Sequence, residues 1–390
     1  MIVGFHCAGQ GTKGTEKTKG TSGSSSLESL SSLKSFDHPK TIYDGDRVIS
    51  AARINGYLMD APDAWVESRA MPICDVPPLV FGSMPNDGGF LSDWSDEDKT
   101  ALVKKYPAAE ALFRRFMGAT EFINNRIRWC LWLKDASPAA MRAVPPVMEA
   151  VENVQKMRAE SSRAGTRKLA GTPTLFGEIR QPDSDYLIVP RHSSENRTYI
   201  PLGYFHSDTI CGDSCMVLPS ATLYHFGVLT SSVHMAWMRA VAGRLKSDYR
   251  YSANIVYNNF PWPDNAVGQG TKGTERTEGT SDKMTVPECG ILAAPSLKSL
   301  KSLRSLSHAA IISQAAQAIL DARARYPDSS LADLYDPLTM PPDLRAAHAA
   351  NDRAVLAAYG LAPDTSEPEI VAHLFKLYAE MAKMDIHVAK

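Results

Sequence analysis

An exact repeat divides this chain. Gly9-Gln-Gly-Thr-Lys-Gly-Thr-Glu16 recurs letter for letter as Gly268-Gln-Gly-Thr-Lys-Gly-Thr-Glu275, and each copy runs into a serine–leucine stretch, Ser26–Lys34 and Ser296–Arg304. A solenoid repeat would carry a varied hydrophobic code and recur more than twice. These segments hold Gly, Thr, Ser and Lys, with too little apolar bulk to offset the entropy of ordering. Leucine at every third position drifts around a helix instead of forming a stripe. Residues 9–35 and 265–307 are therefore predicted to be disordered, low-complexity inserts that carry no chemistry. The foldable remainder is a block over 44–264 and a second over 308–388, preceded by an apolar stub, residues 1–8, that resembles a buried strand. An orphan core strand must find its ladder partners elsewhere, so the stub predicts that the chain is the tail of something longer.

At 390 residues the chain exceeds one ordinary core, which predicts two or three domains. Lys plus Arg (42) nearly cancels Asp plus Glu (43). That excludes a globally basic nucleic-acid binder but not a local basic face. No run is long and apolar enough for a membrane span, and the N-terminus lacks the basic lead of a secretory signal. Six cysteines without regular spacing suit a reducing compartment. The sequence thus predicts a cytoplasmic protein with no membrane partner.

Periodicity predicts an α+β fold: a mixed domain followed by a small helical bundle. In the second block Ala309–Tyr326, Asp343–Tyr359 and Glu367–Lys383 each show apolar residues at helical spacing, with Pro327 and Gly360 as stops. In the first block Ala101–Met117, Pro138–Ser161 and Tyr224–Lys246 are predicted helical. Tyr186–Pro190, Thr198–Pro201, Met216–Leu218 and Asn254–Tyr257 are predicted strands.

The motif search is informative mainly by exclusion. The chain has no phosphate-binding glycine loop between strand and helix, no Gly-x-Ser-x-Gly elbow and no His-Glu-x-x-His. Cys211-Gly-Asp-Ser-Cys215 lacks the second ligand pair that a structural zinc site needs, so two thiols in a turn are expected. Gly82-Ser-Met-Pro-Asn-Asp-Gly-Gly89 fits either a loop approaching a ligand or a tight surface turn. Two basic clusters interleave with aromatics. One is Arg114, Arg115, Arg126, Arg128 and Lys134 among Phe113, Phe116, Phe122, Trp129 and Trp132. The other is Arg239, Arg244, Lys246 and Arg250 among Trp237, Tyr249 and Tyr251. Cations beside aromatics suit a DNA-facing surface, although a charge run also fits a solvated helix face. Asn258-Asn-Phe-Pro-Trp-Pro263 has no proline directly after either asparagine, so it departs from the Asn-Pro-Pro-Tyr motif of amino methyltransferases. A rigid, proline-locked exit from a strand is the plainer reading.

Several stretches together resemble one family. Asp60-Ala-Pro-Asp-Ala-Trp-Val-Glu67, Phe81-Gly-Ser-Met-Pro-Asn-Asp-Gly88, Trp129-Cys-Leu-Trp-Leu133, Tyr224-His-Phe-Gly227, His234-Met-Ala-Trp237, Gly243-Arg-Leu-Lys-Ser-Asp-Tyr-Arg-Tyr-Ser252, Tyr257-Asn-Asn-Phe-Pro-Trp-Pro263 and Leu331-Ala-Asp-Leu-Tyr-Asp-Pro-Leu-Thr-Met-Pro-Pro342 are similar to the MmeI-like, type IIG restriction–modification DNA methyltransferases of bacteria. The resemblance implies a target recognition domain followed by a C-terminal helical domain. It implies membership of an S-adenosylmethionine-dependent, adenine-specific enzyme whose catalytic and cofactor motifs lie upstream. Those motifs are absent from this sequence, so no catalytic residue and no cofactor bound by this chain alone are expected. The missing methyltransferase domain would come from upstream or in trans. A stand-alone specificity module, or an inactive remnant, fits the same residues.

The partner implied is double-stranded DNA. Arg239, Arg244, Lys246 and Arg250 are candidates for phosphate contacts. Arg191, His192, Ser194, Glu195, Asn196 and Arg197 lie in a polar loop between predicted strands, and Arg, Asn and Glu are side chains that discriminate base edges. A simple Arg197–Glu195 pair across the turn is the structural alternative.

Overall fold

The computed structural model describes residues 40–44, 46–263 and 307–388. The N-terminal stub, the first insert and all of the second but Ser307 lie outside them. The chain forms two units, one ending at Trp65 and one beginning at Val66. The first carries an antiparallel hairpin, Lys40–Asp44 with Arg47–Ala51. A turn follows in which the Asn55 side-chain oxygen accepts from the backbone N–H of Tyr57 (3.0 Å) and Met59 (3.1 Å).

The second unit is α+β, as the sequence predicts. Its main sheet is antiparallel in the order Val80–Phe81, Cys215–Pro219, Tyr186–Pro190, Gly203–Phe205. The two central strands read Cys-Met-Val-Leu-Pro and Tyr-Leu-Ile-Val-Pro, and their apolar residues are buried on both faces. That is the pattern expected of strands enclosed by other layers. A second sheet pairs Phe113–Met117 with Trp129–Leu131 (antiparallel) and with Ile210–Cys211 (parallel). Helix Pro145–Ala159 packs its Val147, Val151 and Val154 into the same core.

One buried cation fixes the loops around that core. Arg158 is fully buried, and all five of its N–H donors find backbone carbonyls. Nε donates to Asn86 (2.9 Å), Nη1 to Leu169 (3.2 Å) and Thr172 (2.9 Å), and Nη2 to Pro85 (3.0 Å) and Leu175 (2.8 Å). The glycine-rich loop that it holds is a structural turn. The buried Asp87 carboxylate accepts from the N–H groups of Gly89, Leu91 and Ser92 and from the Ser92 hydroxyl. At Gly82 a Cβ would stand 2.3 Å from the Gly212 carbonyl oxygen, so the loop closes on the protein's own backbone.

Several predicted elements are different in the structure. The helix at Ala101–Met117 is Asp96–Lys105, stopped before Pro107, and Phe113–Met117 is a strand. Pro138–Ser161 is two helices, Pro138–Arg142 and Pro145–Ala159, divided at the residue before Pro145. Tyr224–Lys246 divides into Leu223–Leu229 and Ser232–Val241, where the Ser231 hydroxyl caps the second helix, and then becomes a strand at Gly243. Thr198–Pro201 is not a strand; the ladder takes Gly203–Phe205 instead. Asn254–Tyr257 lies in a single π-turn closed by Asn258 N–H to the Ala253 carbonyl (2.8 Å). From that turn Asn258 and Asn259 donate their amides to the Arg69 and Glu67 carbonyls, so the aromatic–proline stretch fastens an extended segment instead of leaving a strand.

The tail forms the three helices expected, His308–Ala324, Pro342–Ala358 and Glu367–Val388, with a short turn of helix at Leu331–Leu334. It packs directly on the first block. Gly227 leaves room for this: a Cβ there would meet Ile312 Cγ2 at 2.6 Å and Asn351 Oδ1 at 2.9 Å. Asn351 in turn donates to the Gly227 carbonyl (2.8 Å). Among the described residues no helix is long and apolar enough to cross a membrane.

Replacing Arg158 by Met leaves five buried carbonyls without their donor. Urea unfolding is expected to show a loss of about 3 kcal/mol or more. A loss below about 1 kcal/mol would show that the guanidinium is not what holds the loops.

Candidate functional site

The predicted polar loop and the second basic cluster meet in one small sheet. Gly243–Leu245 pairs antiparallel with Asp248–Arg250, and Asp248–Arg250 pairs with His192–Ser193. The first two strands form a ribbon joined by Lys246 and Ser247 alone. Lys246 has φ +56°, a conformation usually given to Gly at the first position of such a turn. Every residue from Gly243 to Arg250 is exposed except Tyr249, which is 5% exposed and anchors the ribbon. Leu245 stands 55% exposed beside the tip.

Cross-strand contacts set the ribbon against the loop. The Arg244 guanidinium lies 3.9 Å over the Tyr249 ring, donates to the Ser247 carbonyl (2.7 Å) and pairs with Glu195 (3.6 Å). The Glu195 N–H donates to Asp248 Oδ1 (3.3 Å). Glu195 therefore bridges to the ribbon and does not pair with Arg197, which answers the structural alternative raised by the sequence. Within the loop Asn196 N–H donates to the Ser194 hydroxyl (3.3 Å) and Arg197 N–H to the Ser194 carbonyl (3.2 Å). Burial lowers the Arg197 pKa, opposed by the carboxylates of Asp248 on the ribbon and Asp336 on the tail. Among the described residues Lys246 and Arg250 have no ion-pair partner.

At the root of the loop Arg191 lies 4.8 Å over the Phe81 ring and donates to the Asp213 carbonyl (2.9 Å). Its neighbour His192 faces Arg250 across the ladder. Burial lowers the His192 pKa, and the cations Arg191 and Arg250 lower it further, against the attraction of Asp248. The ribbon's root is held by His234, whose Nε2 lies 2.8 Å from the Tyr251 hydroxyl. Burial keeps His234 neutral, with its pKa pushed down to about 3.

Arg239 is not with the others. It sits on helix Ser232–Val241, and its guanidinium is gripped by both carboxylate oxygens of Glu367 on the tail (2.7 and 2.9 Å). The aromatics between the predicted basic residues also differ from expectation. Phe113, Phe116, Phe122, Trp237, Tyr249 and Tyr251 are all buried, so they are core and do not face outward, while Trp129 and Trp132 are half-buried against that core. Sequence reasoning missed Ser247 and Asp248 at the ribbon, because Lys-Ser is not a recognised hairpin turn. The alternation in Arg-Leu-Lys-Ser-Asp-Tyr-Arg after Gly243 was the available signal.

The clefts of 470 and 410 Å³ run along the joint with the tail, not at the ribbon, which is a protrusion. Cys211 and Cys215 are buried free thiols, and no cluster of three metal-ligating residues occurs among the described residues. The glycine-rich loop at Gly82–Gly89 is closed against the Gly212 carbonyl.

The MmeI target recognition domain family matches residues 60–264. This chain belongs to that family. The model for the MmeI C-terminal domain matches residues 307–385. DNA methyltransferase A of Bacillus subtilis (strain 168) is 36% identical over 332 residues, which cover 85% of this chain and 33% of that protein. The solved structure of the type IIL restriction–modification enzyme MmeI in complex with DNA is 39% identical, with a TM-score of 0.71, covering 86% of this chain and 40% of that one. The chain thus spans between one third and two fifths of the length of these relatives.

Two outcomes check the local geometry. Lys246→Gly is expected to keep the turn and leave stability unchanged or raised by up to about 1 kcal/mol, because glycine relieves the positive φ. A clear loss would contradict the turn. In NMR titration His192 is expected below the ordinary histidine midpoint, and Arg250→Ala is expected to move it upward. An unmoved midpoint would contradict their pairing.

Proposed function

We propose that this chain is the DNA-reading part of a site-specific adenine-N6 DNA methyltransferase that uses S-adenosylmethionine. The observation that carries it is the ribbon. A two-stranded β-ribbon fits the major groove of B-DNA, where base edges are distinguishable. Here it presents two cations, Lys246 and Arg250, with no ion-pair partner among the described residues, beside a loop bearing Glu195 and Asn196, both exposed. Lys246 and Arg250 supply charge toward phosphates, joined by Arg244. Glu195, Asn196 and Asp248 supply the acceptors and amide that discriminate base edges, and Arg191, His192, Ser194 and Arg197 shape the loop behind them. The proposal is supported by the similarity to MmeI, whose structure is of a DNA complex.

Arg239 is assigned to the joint with the tail, not to phosphate. Methyl transfer needs a pocket that aligns the donor with the amine. No described residue of this chain is assigned to that task, and we assign the transfer itself to a methyltransferase domain supplied upstream or in trans.

The test is binding of the full chain to a random duplex pool, followed by salt titration. Enrichment of a defined sequence is expected. Arg250→Ala and Lys246→Ala are expected to weaken binding to all sequences and to lower the salt slope by about 1 each. Asn196→Ala is expected to cost about 1–3 kcal/mol at one position of the enriched site only. Binding without sequence preference, or methyl transfer to duplex DNA by the isolated chain, would overturn the proposal.

A further inference from the structure

The reading loop ends on the tail, not on its own sheet. Arg191–Ser193 is tied into the ribbon sheet, and Tyr251 N–H donates to the Arg191 carbonyl (2.8 Å). Two residues beyond Arg197 the chain leaves that sheet, and Tyr199 turns into the tail. Its hydroxyl donates to Asp352 Oδ2 (2.6 Å), and its ring stacks on the buried His348 at 4.1 Å between centroids. The other Asp352 oxygen accepts the Ser232 backbone N–H (2.7 Å) at the start of the helix that leads into the ribbon. One carboxylate from the tail therefore holds both chain segments that frame the reading surface. His348 is seated in turn by the Tyr335 hydroxyl, 2.9 Å from its Nε2. Arg323 reaches the same Tyr335 hydroxyl and donates to the Leu202 carbonyl (2.5 Å), three residues past Tyr199.

We infer that the C-terminal helical domain is a positioning element for DNA reading: Asp352, acting through Tyr199 and Ser232, fixes where the Ser194–Arg197 loop stands against the ribbon. A cap whose task is only to cover apolar surface would need apolar packing at this joint. Besides apolar packing such as Trp237 against Phe375 and Tyr378, the joint has a half-buried carboxylate with its two oxygens on two different segments. A carboxylate is costly to desolvate and gains directionality from its hydrogen bonds. Burial raises the Asp352 pKa, and the Tyr199 and Ser232 bonds oppose that rise. The inference rests on the proposed reading role of the loop, but the geometry it claims can be tested without DNA.

Tyr199→Phe is the clean variant, because it deletes one hydroxyl and leaves the ring on His348 and Asp352 on Ser232. Glu367→Ala is the control. It breaks a different polar contact between tail and reader, the Arg239 pair, without touching the loop. Hydrogen exchange of the full chain without DNA is the first readout. In Tyr199→Phe the amides of Glu195, Asn196 and Arg197 are expected to exchange about ten- to hundredfold faster, the equivalent of one hydrogen bond to a charged group. The helices His308–Ala324 and Pro342–Ala358 are expected to be unchanged. In Glu367→Ala the loop is expected to be unchanged as well. Equal loop exchange in Tyr199→Phe and the parent chain would overturn the inference whether or not the chain reads DNA. The second readout is the ratio of affinities for the enriched duplex and a scrambled one. Tyr199→Phe is expected to narrow it about tenfold or more with the salt slope unmoved. Equal loss on both duplexes, or a ratio that survives, would also overturn it. Absence of any preference in the parent chain would sink the reading role alone, and loop exchange would still decide the positioning.

Discussion

Strands of two or three residues cannot hold their register in water unaided. Every strand of the sheet that carries the candidate surface is that short. Its geometry is therefore imposed from outside, by a few buried anchors. Tyr249 pins the ribbon, Tyr251 on His234 ties its root to the helix below, and Asp352 ties the loop and that same helix to the tail. The exposed residues between these anchors can carry cations and polar groups because they are not required to build a core. A surface made this way separates two demands. Stability resides in the enclosed strands and the Arg158 network, and the outward side chains are left for contact.

That division also explains what could be seen in the sequence. The tail helices follow from local periodicity and their glycine and proline stops, and the two central strands follow from unbroken apolar runs. Phe113–Met117 did not, because Phe-Arg-Arg-Phe-Met reads equally as a helix face and becomes a strand only through pairing with Trp129–Leu131 and Ile210–Cys211. The ribbon was hidden for a similar reason. Helical spacing from His234 to Val241 continues smoothly into Leu245, and only Gly243 and the alternation after it announce the change. Tyr199 looked like part of a strand because Thr-Tyr-Ile is rich in strand formers. Its partner lies 153 residues away in the chain.

At the site, residue type was legible and placement was not. The loop Arg191–Arg197 and the residues Arg244, Lys246 and Arg250 do converge. Arg239 belongs to the same run of basic residues but lies on a helix whose exposed flank meets Glu367, and charge alone could not reveal that. The aromatics interleaved with the cations suited a DNA-facing surface, but most of them are buried in the core, with Trp129 and Trp132 half-buried against it. The matched target recognition family spans residues 60–264, which include both the loop and the protruding, cation-bearing ribbon. The match to the MmeI C-terminal domain covers the helical tail that packs on it.

The most direct measurement is site-specific photo-cross-linking of the full chain to duplex DNA from two positions. One is Ser247 at the ribbon tip, and the other is Arg126 in the first basic cluster. A strong cross-link from position 247 and little from position 126 is expected if the ribbon is the reading element. DNA captured from position 126 with none from position 247 would contradict it.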